Sequence, residues 1–273
     1  MLYGLLRKYK TISLFYAYQH PFRMGLRLAI CQYASTDDVD TNLDRIRNAV
    51  GSLDADLFLF PELFLTRYGS GQFDTKDAEE VLSGIAKERD VAIAVGMPIR
   101  EGDRLFNSLA LFLPDRTVRY DKLYLANFAP YNEGVFTPGK APVMAEWKGV
   151  RIGLEVCYDV MFPELHRHYT RKGAQLILVS SASAEKSRPA METIVPARSL
   201  ENTVYTAFCN NIGNGPAGPF YGGSALFTPL GKKPEQLGNY EGVLLADINE
   251  DEIAEARKIR HHLDDLRDDI DWS

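Results

Sequence analysis

The chain has 273 residues, of which 45% are hydrophobic, 25% charged and 11% aromatic, and its formal net charge is −6. These are the proportions of a globular protein long enough to bury a full core, and the acidic balance lacks the basic face that nucleic-acid binding requires. No apolar run reaches the roughly 18 residues of a membrane-spanning helix, so the sequence implies a soluble protein with neither nucleic acid nor membrane as partner.

Residues 1–23 stand apart: they carry Arg7, Lys8, Lys10 and Arg23 and no acid. Gln19 and His20 interrupt their apolar stretch and no small-x-small cleavage site follows, which argues against a signal peptide. They read as a loosely ordered extension, or as an over-long start with Met24 as the natural first residue. The remainder, 24–273, reads as one domain in which short apolar strands alternate with amphipathic helices. A strand at 25–31 precedes a helix over 41–53, where Leu43, Ile46, Val50 and Leu53 recur at helical spacing. A buried strand at 57–60 ends at Pro61. A helix over 77–89 follows, then strands at 91–97, 108–113 and 150–156. After these come a helix over 164–172, a strand at 176–179, a helix over 192–202, and strands at 204–209, 223–227 and 243–248. A helix over 250–260 closes the series. This alternation is that of an α/β fold with helices covering sheets, and no repeat interrupts it.

The three cysteines, Cys31, Cys157 and Cys209, are odd in number and far apart, with no C-x-x-C pair, so neither a disulfide framework nor a zinc site is expected. Free thiols fit a reducing cytoplasm. Of the five histidines, only His261 and His262 are adjacent, and neighbours on a helix diverge by about 100°. No metal is therefore expected.

Three local anomalies carry chemistry. In LFLFPELF, Glu62 sits at the mouth of a buried strand, where partial desolvation raises a carboxyl pKa and suits it to acid–base work; alternatively it caps the following turn. Cys157 ends the strand of RIGLEVCYDV just before a helix. A thiol so placed is a nucleophile with backbone N–H groups free for an oxyanion, or simply a small core residue. Cys31 and Cys209 lie within apolar strands and read as core. Lys122, in RYDKLYL, leads into Leu123 and Leu125; if buried it needs a charged partner, which Glu62 or Glu133 could supply, and otherwise it is a solvated strand end.

Taken together, these blocks resemble the carbon-nitrogen hydrolase (nitrilase) superfamily, from about Gly25 to the C-terminus. The matching segments run PELFLTRYG, YDKLYL, NEGVFTPG, GLEVCYDVMFPEL, RSLENTVYTAFCNNIG and YGGSALFTPLG, in the family's order. The resemblance implies a single-domain four-layer α-β-β-α sandwich and a Glu-Lys-Cys triad without cofactor. It makes Glu62 the general base, Lys122 the oxyanion-stabilising cation and Cys157 the nucleophile. Glu133 becomes a supporting glutamate that holds Lys122, and the backbone N–H of Tyr158 a second oxyanion donor. Phe-Pro-Glu-Leu occurs twice, and only its first copy stands at the family's base position, which leaves Glu164 structural.

Cys157-Tyr158-Asp159 is the pattern of many amidases, whereas true nitrilases place Trp-Glu after the nucleophile. The substrate implied is a small linear amide, with an N-carbamoyl amine (a ureido carbonyl) as alternative and a nitrile further off. Tyr124 replaces a common His. Glu155 shares strand parity with Cys157 and either touches the substrate or forms a buried ion pair with an Arg or Lys. The segment Ser183–Pro189 is polar and loop-like. A Cys-His hydrolase using His166 or His168 is a rival mechanism, although both read as helix-surface residues. A silent binding protein on the same fold would be expected to have lost one of the three residues, and none is lost. The family's habit of pairing implies a homodimer or larger assembly, with the acidic tail 264–271 as a candidate arm.

Overall fold

A computed structural model describes residues 25–271, apart from 234 and 268. The extension expected over 1–23 and the start at Met24 lie outside the described residues. In chain order the elements are β1 (Leu26–Gln32), α1 (Val39–Ser52), β2 (Leu57–Leu59), α2 (Lys76–Arg89), β3 (Ala92–Glu101), β4 (Arg104–Phe112) and β5 (Thr117–Asp121). Next come β6 (Met144–Trp147), β7 (Val150–Val156), α3 (Pro163–Arg171), β8 (Leu176–Ser181), α4 (Arg188–Asn202) and β9 (Tyr205–Asn210). The last are β10 (Ile212–Gly215), β11 (Gly218–Tyr221), β12 (Ala225–Phe227), β13 (Gly242–Ile248) and α5 (Glu250–Ile259). Single 3₁₀ turns occupy Cys157–Met161 and Glu185–Ser187.

The strands form a sheet of order β13-β1-β2-β3-β4-β5, a second of order β12-β9-β8-β7-β6, and a β10-β11 ribbon. Parallel pairing at the centre of each sheet (Leu28 opposite Leu57, Leu57 opposite Ala92; Ile152 opposite Leu176, Leu176 opposite Tyr205) is what βα units produce. Period-two alternation then decides the layers. Leu28, Ile30, Leu57, Leu59, Ala92 and Ala94 of the first sheet meet Ile152, Leu154, Leu176, Leu178 and Ala207 of the second in one core. Ala29, Phe58, Ile93 and Val95 point the other way, onto Ile46 and Val50 of α1 and Leu82 and Ala86 of α2. Leu165 and Tyr169 of α3, with Met191 and Val195 of α4, cover the far side of the second sheet. The architecture is the four-layer α-β-β-α sandwich. Each buried Leu or Ile contributes about 1.5–3 kcal/mol. That packing has no direction, so it stacks the layers without fixing the relative position of polar groups on the two sheets.

The strands expected at 91–97 and 108–113 cover the first part of β3 and the last part of β4, which extend further into a hairpin between Glu101 and Arg104. The polar segment 183–189 is only partly loop: it holds the second 3₁₀ turn and the first turn of α4, with Pro189 in the position where its missing N–H costs nothing. β5, β6, β10 and β11 are short and of mixed polarity, and their strand character comes from pairing. Leu263, Asp264 and Leu266 of the C-terminal segment line a hollow with Thr170 and Arg171 of α3 and Arg257 of α5.

Two expectations about side chains are corrected. Glu155 pairs with neither an Arg nor a Lys, and it does not face Cys157. It is fully buried with its Oε1 2.6 Å from Nδ1 of His166, itself fully buried on α3, and His166 Nε2 lies 3.3 Å from Thr206 Oγ1. Parity misled because β7 ends at Val156 and Cys157 adopts φ +48°, which turns the chain before the alternation can continue. His166 is accordingly a core residue, while His168 is exposed.

Candidate active site

Glu62 reaches its position on a turn that follows β2. Phe60 N–H donates to the Ala94 carbonyl and Glu62 N–H to that of Ser181, so the turn spans both sheets. It also lies directly on β3. A Cβ on Gly96 would come within 2.4 Å of the Pro61 carbonyl oxygen and 2.6 Å of Glu62 Cα, so only glycine admits the turn there. Asn211, in the CNNIG segment after β9, donates from Nδ2 to the Glu62 carbonyl at 2.9 Å.

Lys122 follows the last residue of β5. Its N–H donates to the Asn107 carbonyl, and its own carbonyl accepts from Gly139 N–H. The ammonium lies 2.7 Å from Glu62 Oε1 and 2.7 Å from Glu133 Oε1, and all three groups are at most 2% exposed. Glu133 is fully engaged, since Oε1 also accepts from Tyr68 OH at 2.8 Å and Oε2 from Ala126 N–H at 2.8 Å. Glu62 is not: Asn107 Nδ2 donates to the same Oε1 at 2.7 Å, and Oε2 carries no hydrogen bond within the protein.

Cys157 belongs to the other sheet. It opens the 3₁₀ turn after β7 in a left-handed conformation that costs a non-glycine residue about 1–2 kcal/mol. The amides that begin such a turn have no acceptor within it. The thiol contacts Ser183 Oγ at 3.4 Å, and Ser183 is fixed by Ser181 Oγ at 2.8 Å and by Asn210, which accepts from its N–H and donates to its carbonyl.

The structure therefore brings Glu62, Lys122, Glu133 and Cys157 into one buried cluster, with Tyr158 next to the thiol; it leaves Glu155 and His166 outside and Glu164 exposed at the start of α3. Tyr68, Asn107, Ser181, Ser183 and Asn210 were not read from the sequence. Asn107 and Ser108 were detectable as polar residues inside the apolar run of β4, and the Asn210-Asn211 pair as amides closing a buried strand. Ser183 lay hidden in a segment that reads as loop.

Electrostatics set the resting state. Burial works against the Lys122 ammonium, but Glu133 and Glu62 outweigh it and hold its pKa well above the ordinary lysine range. Burial raises the Glu62 carboxyl above its usual 4.5; Lys122 offsets part of this and Glu133 adds to it. Burial also pushes the Cys157 thiol up to about 12, Glu62 reinforces the shift, and Lys122 counters only part of it. The resting sulfur is thus a thiol, and the Glu62 carboxyl group whose charge acts on it keeps one oxygen without a hydrogen bond. Among the described residues no group of three His, Cys, Asp or Glu side chains is arranged to hold a metal ion, and no helix is long and apolar enough to cross a membrane.

A family model described as Carbon-nitrogen hydrolase matches residues 27–258. The chain is 30% identical over 254 residues to an (R)-stereoselective amidase of a Pseudomonas species, covering 89% of this chain and 92% of the relative. Among solved structures, a CN-hydrolase superfamily protein from Xanthomonas campestris, XC1258, with an arsenic adduct in its active site, superposes with a TM-score of 0.83 at 25% identity, covering 90% of this chain and 99% of the other. A mutant amidase from Nesterenkonia sp. AN1, carrying acrylamide added to its active-site cysteine, gives a TM-score of 0.74 at 32% identity, covering 88% and 100%.

Because the Glu62 charge raises the Cys157 pKa, neutralising it must lower that value. In Glu62→Gln the thiolate absorbance of Cys157 is expected to appear at a midpoint about one pH unit or more below wild type. Cys31 and Cys209, buried and also raised, stay silent over that range. An unchanged or higher midpoint would contradict the electrostatic reading.

Proposed function

The chain belongs to the carbon-nitrogen hydrolase family, and on that footing we propose that it hydrolyses a small linear amide through a thioester on Cys157, releasing ammonia. The observation that carries this reading is the buried Lys122 ammonium held between Glu62 and Glu133 beside a thiol on a positive-φ turn. Both the amidase relative and the amidase structure with its modified cysteine support amide over nitrile chemistry.

An amide carbonyl is a weak electrophile, so nucleophile and oxyanion stabilisation must act together. In the proposed sequence Oε2 of Glu62 takes the Cys157 proton as the sulfur bonds to the carbonyl carbon. The tetrahedral oxyanion is met by the Lys122 ammonium and by Tyr158 N–H at the head of the 3₁₀ turn; one such donor is worth about 3–4 kcal/mol of activation free energy. Glu62 then gives its proton to the nitrogen, the C–N bond breaks and ammonia leaves. Water, deprotonated by Glu62, attacks the thioester, releasing the acid and restoring the thiol. Glu133 takes no proton in this sequence, since its oxygens are committed to Lys122, Tyr68 and Ala126 N–H. The same steps would open a ureido carbonyl, which keeps an N-carbamoyl amine as the second substrate class.

The proposal includes a cytoplasmic location, a reading supported by three unpaired thiols, and a homodimer or larger assembly as the working form. Light scattering is expected to give at least twice the mass of one chain, and the monomer mass would count against it.

Ammonia release from a panel of aliphatic amides, ω-amides, carbamoyl amines and nitriles is the deciding assay. Turnover of an amide, abolished in Cys157→Ala and reduced by about 100-fold or more in Glu62→Gln, is the expected result. Near-normal turnover in either variant would refute the scheme. Because Glu62 must be unprotonated to act and its pKa is raised, kcat/KM should fall as pH drops, with the acid limb above 4.5.

A further inference from the structure

The scheme above uses groups from both sheets. Glu62 and Lys122 come from the first, Cys157 from the second, and the apolar core between the sheets is non-directional. Polar ties across the seam must therefore set the distance between them. Glu62 has its own: its N–H donates to the Ser181 carbonyl and its carbonyl accepts from Asn211. The link that would do the same for Lys122 is a buried carboxylate that the scheme does not use.

Asp159 lies two residues after Cys157 on the 3₁₀ turn and is fully buried. Its Oδ2 accepts from Tyr120 OH at 2.7 Å and from Val156 N–H at 3.0 Å, and its Oδ1 accepts from Tyr124 N–H at 2.9 Å. Tyr120 and Tyr124 bracket Lys122, and Val156 precedes Cys157. One side chain thus joins the Tyr120 hydroxyl on one side of the proposed cation and the Tyr124 backbone on the other to the residue before the proposed nucleophile. The contact is reinforced beside it, where the Tyr124 ring stacks on Phe162 at 3.5 Å and 9°, and Phe162 N–H donates to the Asp159 carbonyl.

Resting on the Cys157–Lys122 reading of the site, we propose that Asp159 is a positioning residue that holds Lys122 in register with the Cys157 turn, so that cation and nucleophile meet the same carbonyl. An ionised Asp159 is all acceptor and matches three donors. A protonated one presents an O–H that neither amide can accept, so it must give up a bond or turn the Tyr120 hydroxyl around. The titratable and charged groups that interact electrostatically with this carboxylate are Lys122 and Tyr120 from β5 and its end, and Tyr169 from α3; Glu155 of β7 acts on the two tyrosines. Burial lifts the Asp159 carboxyl to about 7, with Lys122, the Tyr120 hydroxyl and the two amides pulling it back. Protonation should accordingly loosen Lys122 as pH falls through neutrality.

The test is the pH dependence of kcat and KM for Asp159→Asn and Tyr120→Phe, on the best amide substrate and with folding checked by Tm. Asp159→Asn is expected to lower kcat by about 10- to 100-fold with KM little changed, the scale of a misplacement near 1 Å. It should also erase the kcat ionisation expected near pH 7 in wild type. Tyr120→Phe removes a bond that lowers the Asp159 pKa, so it should move that ionisation to higher pH while costing less in kcat. The double variant should be no slower than Asp159→Asn alone, because both substitutions cut one link. Should Asp159→Asn fail to fold, the displaced ionisation in Tyr120→Phe decides alone. An active wild type whose kcat profile is unmoved by either substitution overturns the positioning role and leaves the amidase reading intact. A wild type inert toward every amide overturns both, since the positioning then has no reaction to serve.

Discussion

A lysine ammonium removed from water and held between two carboxylates is the interaction on which the rest of this molecule turns. Lys122 is 1% exposed, and Glu62 and Glu133 both approach it to 2.7 Å. Removing one partner of such a buried group typically costs about 3–5 kcal/mol, because the other charge is left uncompensated. The two carboxylates differ in what surrounds them. Both oxygens of Glu133 are engaged, by Lys122, Tyr68 and Ala126 N–H, whereas Glu62 keeps an oxygen without a hydrogen bond. That asymmetry separates two residues of identical chemistry, and on it rest the supporting place proposed for Glu133 and the proton transfer proposed for Glu62.

The sandwich explains why such a cluster forms where it does. Strands of both sheets end at the same seam, so the turn after β2, the end of the edge strand β5 and the turn after β7 converge there. Close backbone approach is part of the design. Gly96 lets the Glu62 turn rest on β3, and a Cβ on Gly139 would lie 2.1 Å from the Asp121 carbonyl oxygen, beside Lys122. These glycines are positional requirements of the site although neither touches the thiol.

Much of this was legible in the sequence, for physical reasons. Long buried strands and amphipathic helices have strong periodicity, so β1, β7, β9 and α1 were found within a residue or two. Glu62, Lys122 and Cys157 were each conspicuous as a polar or reactive group set against an apolar run. Short strands such as β5 and β10 owe their conformation to their neighbours, and no local pattern marks them. The pairing of Glu155 with His166 was missed because strand parity fails at a positive-φ residue, and positive φ at a cysteine has no sequence signature. The state of the thiol was also out of reach. A nearby lysine argues for a thiolate, and only the burial of Cys157 together with the adjacent Glu62 charge reverses the balance.

The central claim is that the sulfur of Cys157 bonds to the acyl carbon of the substrate while Glu62 carries its proton. Mass spectrometry of the wild-type enzyme, acid-quenched during turnover of a good amide substrate and digested, addresses that bond directly. The account predicts that the peptide containing Cys157 is heavier by the acyl group of the substrate, and that the increment disappears once substrate is exhausted. Sustained turnover with that peptide unmodified and the acyl group carried on another residue would contradict it.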